Sequence, residues 1–95
     1  MALLSDQEIQ TGLGSLPEWE REGNTIQKTY NFGSFMAGIA FVNRVAEKAE
    51  AADHHPDITI HYRKVGIALS THSDGGLTQK DLDLAGAIET LAKPD

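Results

Sequence analysis

The chain has 95 residues, no cysteine and a formal net charge of −6, with 14 acidic side chains against 8 basic ones. This length predicts one domain over residues 1–95 with a single core, and the lack of cysteine excludes disulfides and thiolate metal sites. The negative charge disfavours binding to the backbone of a nucleic acid.

The N-terminal region predicts a helix followed by a β-hairpin. Its first segment, MALLSDQEIQ, has no basic flank and no long apolar run, so we expect neither a signal peptide nor a membrane span, and a cytoplasmic protein. Ser5 and Glu8 form the pattern of a capping box, which predicts a short helix that ends near Gly12 or Gly14. A short strand around Trp19 then pairs with the alternating segment TIQKTYNF.

A second, longer helix is predicted between Ser34, a good N-cap, and Pro56, which pushes His55 out of the helical region. Phe35 and Phe41 are expected in the core. Apolar residues recur at helical spacing along the predicted buried face, namely Phe35, Ile39, Val42, Val45, Ala46 and Ala49.

The last part of the chain predicts a second hairpin and a third helix. The segments ITIHY and VGIAL alternate in polarity on either side of Arg63 and Lys64. Thr78 caps the final helix, whose inward face carries Leu84, Ile88 and Leu91. The predicted order is α-β-β-α-β-β-α, an α+β fold with a four-stranded antiparallel sheet and helices packed on one face.

All four histidines fall between His54 and His72. If Arg63 and Lys64 form the hairpin tip, the apolar residues of the two strands face each other, and the same register places His55 opposite His72. We expect these two side chains within roughly 5 Å of each other, on the sheet face away from the helices.

His54 is expected at the end of the long helix, four residues after Glu50. A partly buried carboxylate there would orient the imidazole and favour its charged form. The sequence therefore predicts that three imidazoles and a carboxylate meet at one end of the sheet.

Purely structural roles for the same residues stay open. Adjacent histidines before a proline also suit a polar helix terminus, where a cation complements the helix dipole. Asp81 lies three residues after Thr78 and could serve only as a capping carboxylate. The spacing of the histidines matches no common zinc motif, and His61 is expected to be solvated.

The spacing of polar residues from Glu50 onward resembles the signature of the pterin-4a-carbinolamine dehydratases. Glu50 is followed by HHP at 54–56, by Tyr62, by STH at 70–72 and by Asp81. The flanking segments HHPDI and GGLTQKDLDLA and the single tryptophan also agree. The resemblance covers the chain from about residue 16 to its end.

The resemblance implies the same α+β fold and a hydro-lyase that converts 4a-hydroxytetrahydropterin to quinonoid dihydropterin in tetrahydrobiopterin recycling. It implies no metal and no cofactor, because the pterin is the substrate. The implied acid/base imidazoles are His54 and His72, joined by His55. The implied supporting residues are Glu50 and Asp81, and the implied substrate-binding residues are His55, Ser70, Thr71 and Trp19.

The resemblance also implies a homodimer or homotetramer and a functional link to an aromatic amino acid hydroxylase. The alternative function is that of a protein-binding dimerisation cofactor or assembly factor on the same fold. A pure scaffold would have no need of HHP together with STH, so the retained histidines favour the enzyme.

Overall fold

Three helices pack on one face of a four-stranded antiparallel sheet in this computed structural model, which describes residues 3–92. The predicted element order is confirmed. The strands lie in the order β1-β2-β4-β3. The elements are α1 (Asp6–Leu13), β1 (Glu20–Glu22), β2 (Thr25–Asn31), α2 (Phe35–Ala52), β3 (Asp57–His61), β4 (Lys64–Leu69), a short 3-10 helix (His72–Asp74) and α3 (Gln79–Ala92).

The predicted N-caps Ser5 and Ser34 are confirmed. Ser5 Oγ accepts the Glu8 N–H at 3.1 Å, and Glu8 Oε1 accepts the Ser5 N–H at 2.8 Å, which completes a capping box on α1. Ser34 Oγ accepts the Ala37 N–H at 3.1 Å and starts α2. Short polar side chains therefore determine where both helices begin.

The end of α2 differs from the expected one. Asp53 takes a left-handed conformation (φ 51°), and its N–H donates to the Glu50 carbonyl at 3.1 Å. The His54 N–H donates to the Ala49 carbonyl, also at 3.1 Å. This pair of bonds is the Schellman closure of a helix. His54 therefore lies just beyond the helix, so helical spacing does not determine the direction of its side chain.

The core lies between the sheet and the helices, and α2 lines it with a face that matches the predicted one only in part. Its buried residues are Gly38, Phe41, Val45 and Ala49. The prediction that Phe35 and Ala46 lie in the core is wrong, since Phe35 is 43% exposed and Ala46 is also exposed. A Cβ on Gly38 would lie 3.3 Å from Val65 Cγ2, so α2 lies close against the sheet there. Because glycine carries no hydrophobic signal, the sequence pattern pointed to its neighbours.

The second hairpin has its tip at Tyr62 and Arg63 rather than at Arg63 and Lys64. Ile58 faces Ile67 and Ile60 faces Val65, so the expected register is wrong by two residues. A two-residue shift keeps every side chain on its face, and the apolar pattern cannot detect it. Tyr62 adopts a positive φ of 54°, which places the turn one residue earlier than predicted. His55 consequently does not pair with His72 in the ladder.

The first strand begins one residue after Trp19, which itself belongs to the buried cluster. The predicted hairpin of β1 with β2 is confirmed, with Arg21 opposite Ile26. Within residues 3–92, no helix has the length and apolar character needed to cross a membrane.

Candidate active site

The centre of the candidate site is a buried carboxylate, Asp81, in the first turn of α3. Its side chain is fully buried, and its oxygens lie near the ends of three elements. Oδ2 accepts the Thr78 N–H at 2.9 Å and the Thr71 hydroxyl at 2.7 Å, while Oδ1 lies 2.6 Å from His54 Nε2. The capping role expected of Asp81 is present, but the same carboxylate also holds an imidazole that follows α2.

The hydrogen bonds around Asp81 run in one direction. The Lys80 N–H donates to the Thr78 hydroxyl at 3.3 Å, and the Thr71 hydroxyl lies 2.9 Å from that of Thr78. Because the Thr71 proton is directed to Asp81, the Thr78 hydroxyl must donate to Thr71. In this series of hydrogen bonds, every donor therefore points toward the carboxylate of Asp81.

This polarity determines the state of His54. An ionised carboxylate that accepts from every neighbour requires a proton on His54 Nε2, as inferred from the hydrogen-bond network. The other ring nitrogen, Nδ1, is then the atom left for proton exchange. The side chain of His54 is 11% exposed, so the ring is largely buried but still reaches solvent.

A second carboxylate–imidazole pair lies on the surface beside the first. Glu50 Oε1 is 2.6 Å from His55 Nε2, with exposed fractions of 80% and 57%. The expected pairing of Glu50 with His54 is therefore wrong, and so is the expected partial burial of Glu50. The left-handed Asp53 turns the chain back over the last turn of α2, which brings His55 to Glu50 and sends His54 inward.

The third imidazole, His72, is exposed and opens the short 3-10 helix. It directly follows Thr71, whose hydroxyl binds Asp81. His72 is therefore linked to His54 through Thr71 and Asp81, whereas the strand pairing predicted for His55 and His72 is absent. Ser70, on the other side of Thr71, is half-buried. Among residues 3–92, no three His, Asp or Glu side chains converge as ligands of one metal ion would.

Trp19, expected to contact substrate, lies in the core with 5% of its surface exposed. Its indole N–H donates to Glu89 Oε2 at 3.2 Å, the same atom that accepts the Lys28 ammonium at 2.8 Å and the Tyr30 hydroxyl. Sequence reasoning missed this cluster, although Lys28 in an otherwise apolar row was a usable signal. A lysine on a buried strand face needs a carboxylate partner, and α3 supplies one.

The surroundings of this cluster shift the pKa values of Glu89 and Tyr30. Burial would by itself raise the pKa of Glu89, but the hydrogen bonds from Lys28, Tyr30 and Trp19 and the charge of Lys28 outweigh it, so the pKa is lowered. Burial, and then the hydrogen bond to Glu89 and its charge, raise the pKa of Tyr30. Glu89 is thus an anion that holds α3 to β2.

Two cavities bear on where a ligand lies. The open face of the sheet has a cavity of about 530 Å³, lined among others by Thr59 and Ala68. His54, His55 and His72 do not line it. His54 instead lines a cavity of about 370 Å³ between α2 and α3.

Comparison with known proteins identifies the family to which the chain is related. The model of the family "Pterin 4 alpha carbinolamine dehydratase" matches residues 2–91. The chain belongs to this family. A curated relative from Roseiflexus castenholzii, named "Putative pterin-4-alpha-carbinolamine dehydratase", is 57% identical over 95% of this chain and 97% of its own length.

Two solved structures resemble this dehydratase-family fold. A transcriptional coactivator/pterin dehydratase from Brucella melitensis superposes with a TM-score of 0.93 at 29% identity, covering 97% of this chain and 100% of its own. A pterin dehydratase-like protein described as a RuBisCO assembly factor of the alpha-carboxysome has a TM-score of 0.67 at 23% identity, covering 81% and 89%. The second likeness concerns the fold alone.

Proposed function

We propose that this member of the pterin-4a-carbinolamine dehydratase family dehydrates 4a-hydroxytetrahydropterin to quinonoid dihydropterin and water. The observation that carries the proposal is the buried Asp81, which holds His54 in one tautomer and also binds Thr71, the residue directly before His72. The family name supports the same chemistry.

The reaction breaks the C4a–O bond and the N5–H bond. An imidazolium protonates the leaving hydroxyl, the C4a–O bond breaks to release water, and a neutral imidazole takes the N5 proton. The oxidation level of the pterin does not change, so we propose that the chain works without metal or cofactor. Imidazoles suit both roles because their ordinary pKa is about 6.5.

The residues of the site divide this work in the proposal. His54 exchanges a proton at Nδ1 while Asp81 stabilises its imidazolium, and the exposed His72 serves as the second acid/base. His55, held by Glu50, contacts the bound pterin. Ser70 and Thr71 line the path between the imidazoles, and Trp19 acts indirectly through the core. The carbinolamine substrate would be supplied by an aromatic amino acid hydroxylase, which hydroxylates its tetrahydropterin at C4a.

The test is stopped-flow absorbance of 4a-hydroxytetrahydropterin breakdown with a chelator present. We expect the wild type to accelerate breakdown, the His54→Ala/His72→Ala double variant to lose most of that acceleration, and His61→Ala, an exposed histidine outside the network, to keep it. Equal rates for the wild type and the double variant would remove these imidazoles from the chemistry.

A second function, protein association, is favoured by exposed apolar side chains and an unpaired strand edge. Ile60, in β3, and Tyr62, directly after it, are 41% and 69% exposed, and Phe35 and Met36 at the start of α2 are 43% and 67% exposed. Among the strands of residues 3–92, β3 pairs only with β4. An unpaired strand edge beside apolar side chains is suited to pairing with another chain. We propose that a second copy of this chain covers it.

Light scattering tests the association. The wild type should exceed the mass of a 10.3 kDa monomer, and Ile60→Asp should shift it toward the monomer. A monomeric wild type at micromolar concentration would contradict self-association. A partner protein bound equally by the wild type and the His54→Ala/His72→Ala variant would instead favour a scaffold role.

A further inference from the structure

The cavity beside His54 has a composition that the dehydration chemistry does not require. It lies between the second half of α2 and the first half of α3, and its volume of about 370 Å³ is within the range of small-molecule sites. Its apolar lining comes from Ala52, Leu84 and Ala87, and His54 also contributes to the lining. Such a lining accommodates an apolar linker but does not select its end group.

The charged lining of the same cavity is positive. Lys48 of α2 and Lys80 of α3 line it, against one carboxylate, Asp83. Asp83 Oδ1 accepts the Gln79 side-chain amide at 2.9 Å, which partly satisfies that carboxylate. Two of the chain's 8 basic side chains thus lie at one cavity of a protein whose net charge is −6.

The ammonium groups of these two lysines are also available to bind an anion. Within residues 3–92 neither ammonium group makes an ion pair, whereas Lys28 is bonded to Glu89 at 2.8 Å. The charge of Lys80 contributes to lowering the pKa of Asp74, the last residue of the short 3-10 helix, after the larger effect of hydrogen bonds to that carboxylate. Lys80 also occupies the first turn of α3, where the positive end of the helix dipole adds to its field.

We infer that this cavity binds an anionic group, a phosphate or a carboxylate, on the side chain of the pterin substrate. The reacting ring lies at the imidazoles, and the side chain runs over the apolar lining to Lys48 and Lys80. This inference rests on the proposed function and adds a substrate class to it. Lysine binds phosphate and carboxylate as a point charge, so either anion fits.

A binding experiment tests this without any turnover. Three oxidised pterins that cannot react serve as probes, namely 6-hydroxymethylpterin, its phosphate ester and pterin-6-carboxylate. Their fluorescence is titrated with the wild type, with Lys48→Gln/Lys80→Gln, and with Lys64→Gln as a control at the far hairpin. Both substituted cavity lysines are exposed, and circular dichroism verifies that the variants fold.

We expect the wild type to bind an anionic probe more tightly than 6-hydroxymethylpterin. Removal of each cavity lysine should weaken anion binding about fivefold, the upper range for exposed ion pairs. Binding of the neutral probe should not change, the control should behave as wild type, and added salt should reduce the preference. The two anionic probes reveal whether phosphate or carboxylate is preferred.

Equal affinity of the wild type for neutral and anionic probes would overturn the inference, as would anion binding that the double variant retains. Failure of the proposed function has a different signature. If the anionic probe binds through the lysines but no carbinolamine is dehydrated, the cavity assignment stands and the dehydratase proposal falls. If a neutral carbinolamine is dehydrated and neither lysine affects the binding of any probe, the dehydratase proposal stands and the cavity assignment falls.

Discussion

Replacing Asp81 with asparagine should invert the hydrogen bonding of His54. The carboxylate accepts from His54 Nε2, from the Thr71 hydroxyl and from the Thr78 N–H. An asparagine has one accepting oxygen, and the Thr71 hydroxyl and the Thr78 N–H would both donate to it. Its amide would then donate toward His54 Nε2, which forces the imidazole proton onto Nδ1, the atom needed for proton exchange.

The magnitude follows from what the substitution removes. The variant loses one charge-assisted hydrogen bond in a fully buried site, a loss of about 1.5–3 kcal/mol in the free energy of unfolding. For a domain of this size, that corresponds to a decrease in melting temperature of roughly 6–24 °C. The dehydration rate should fall by about 10²-fold or more, the usual contribution of one general acid or base.

Long-range ¹H–¹⁵N spectra of the histidine rings provide the decisive assay, because they report the tautomer directly. We expect the Nε2–H form of His54 in the wild type and the Nδ1–H form in Asp81→Asn at neutral pH. Glu47→Gln, on the exposed face of α2, is the matched carboxylate-to-amide control and should change neither tautomer nor rate. The same tautomer and the same rate in Asp81→Asn and wild type would refute the proposed polarity of the network.

Three further outcomes follow from the structure. Thr71→Val removes a donor to Asp81 and should lower the unfolding free energy by about 1–3 kcal/mol and slow dehydration, whereas Thr90→Val on the surface should do neither, as urea titration and stopped-flow rates can show. The pKa of Glu89 is lower in the folded than in the unfolded chain, so its stabilisation exists above its unfolded pKa of about 4.3 and is lost as pH falls through the folded value. Glu89→Gln should therefore lower the urea midpoint at pH 7 more than at pH 3, and an equal effect at both would contradict the assignment. Glu50→Gln should change the melting temperature little, because its pair with His55 is exposed, and a large decrease would show that the pair is structural.

The sequence alone determined the element order, the helix starts and the family. These features depend on local chemistry: a capping box at Ser5 and Glu8, the N-cap Ser34 of α2, and alternation in the strands. The spacing of Glu50, the three histidines and Asp81 identified the family before any contact was known, and the family model agrees with it.

The tertiary structure decided which carboxylate serves which imidazole. Helical spacing suggested Glu50 for His54, but the left-handed Asp53 sends His54 to the buried Asp81 and leaves Glu50 to His55. The hairpin register was wrong by two residues because both registers place the same apolar residues on the core face. Local patterns specify faces and ends, whereas pairing across elements depends on how the packed helices and strands bring distant side chains together, and one residue with positive φ is enough to change it.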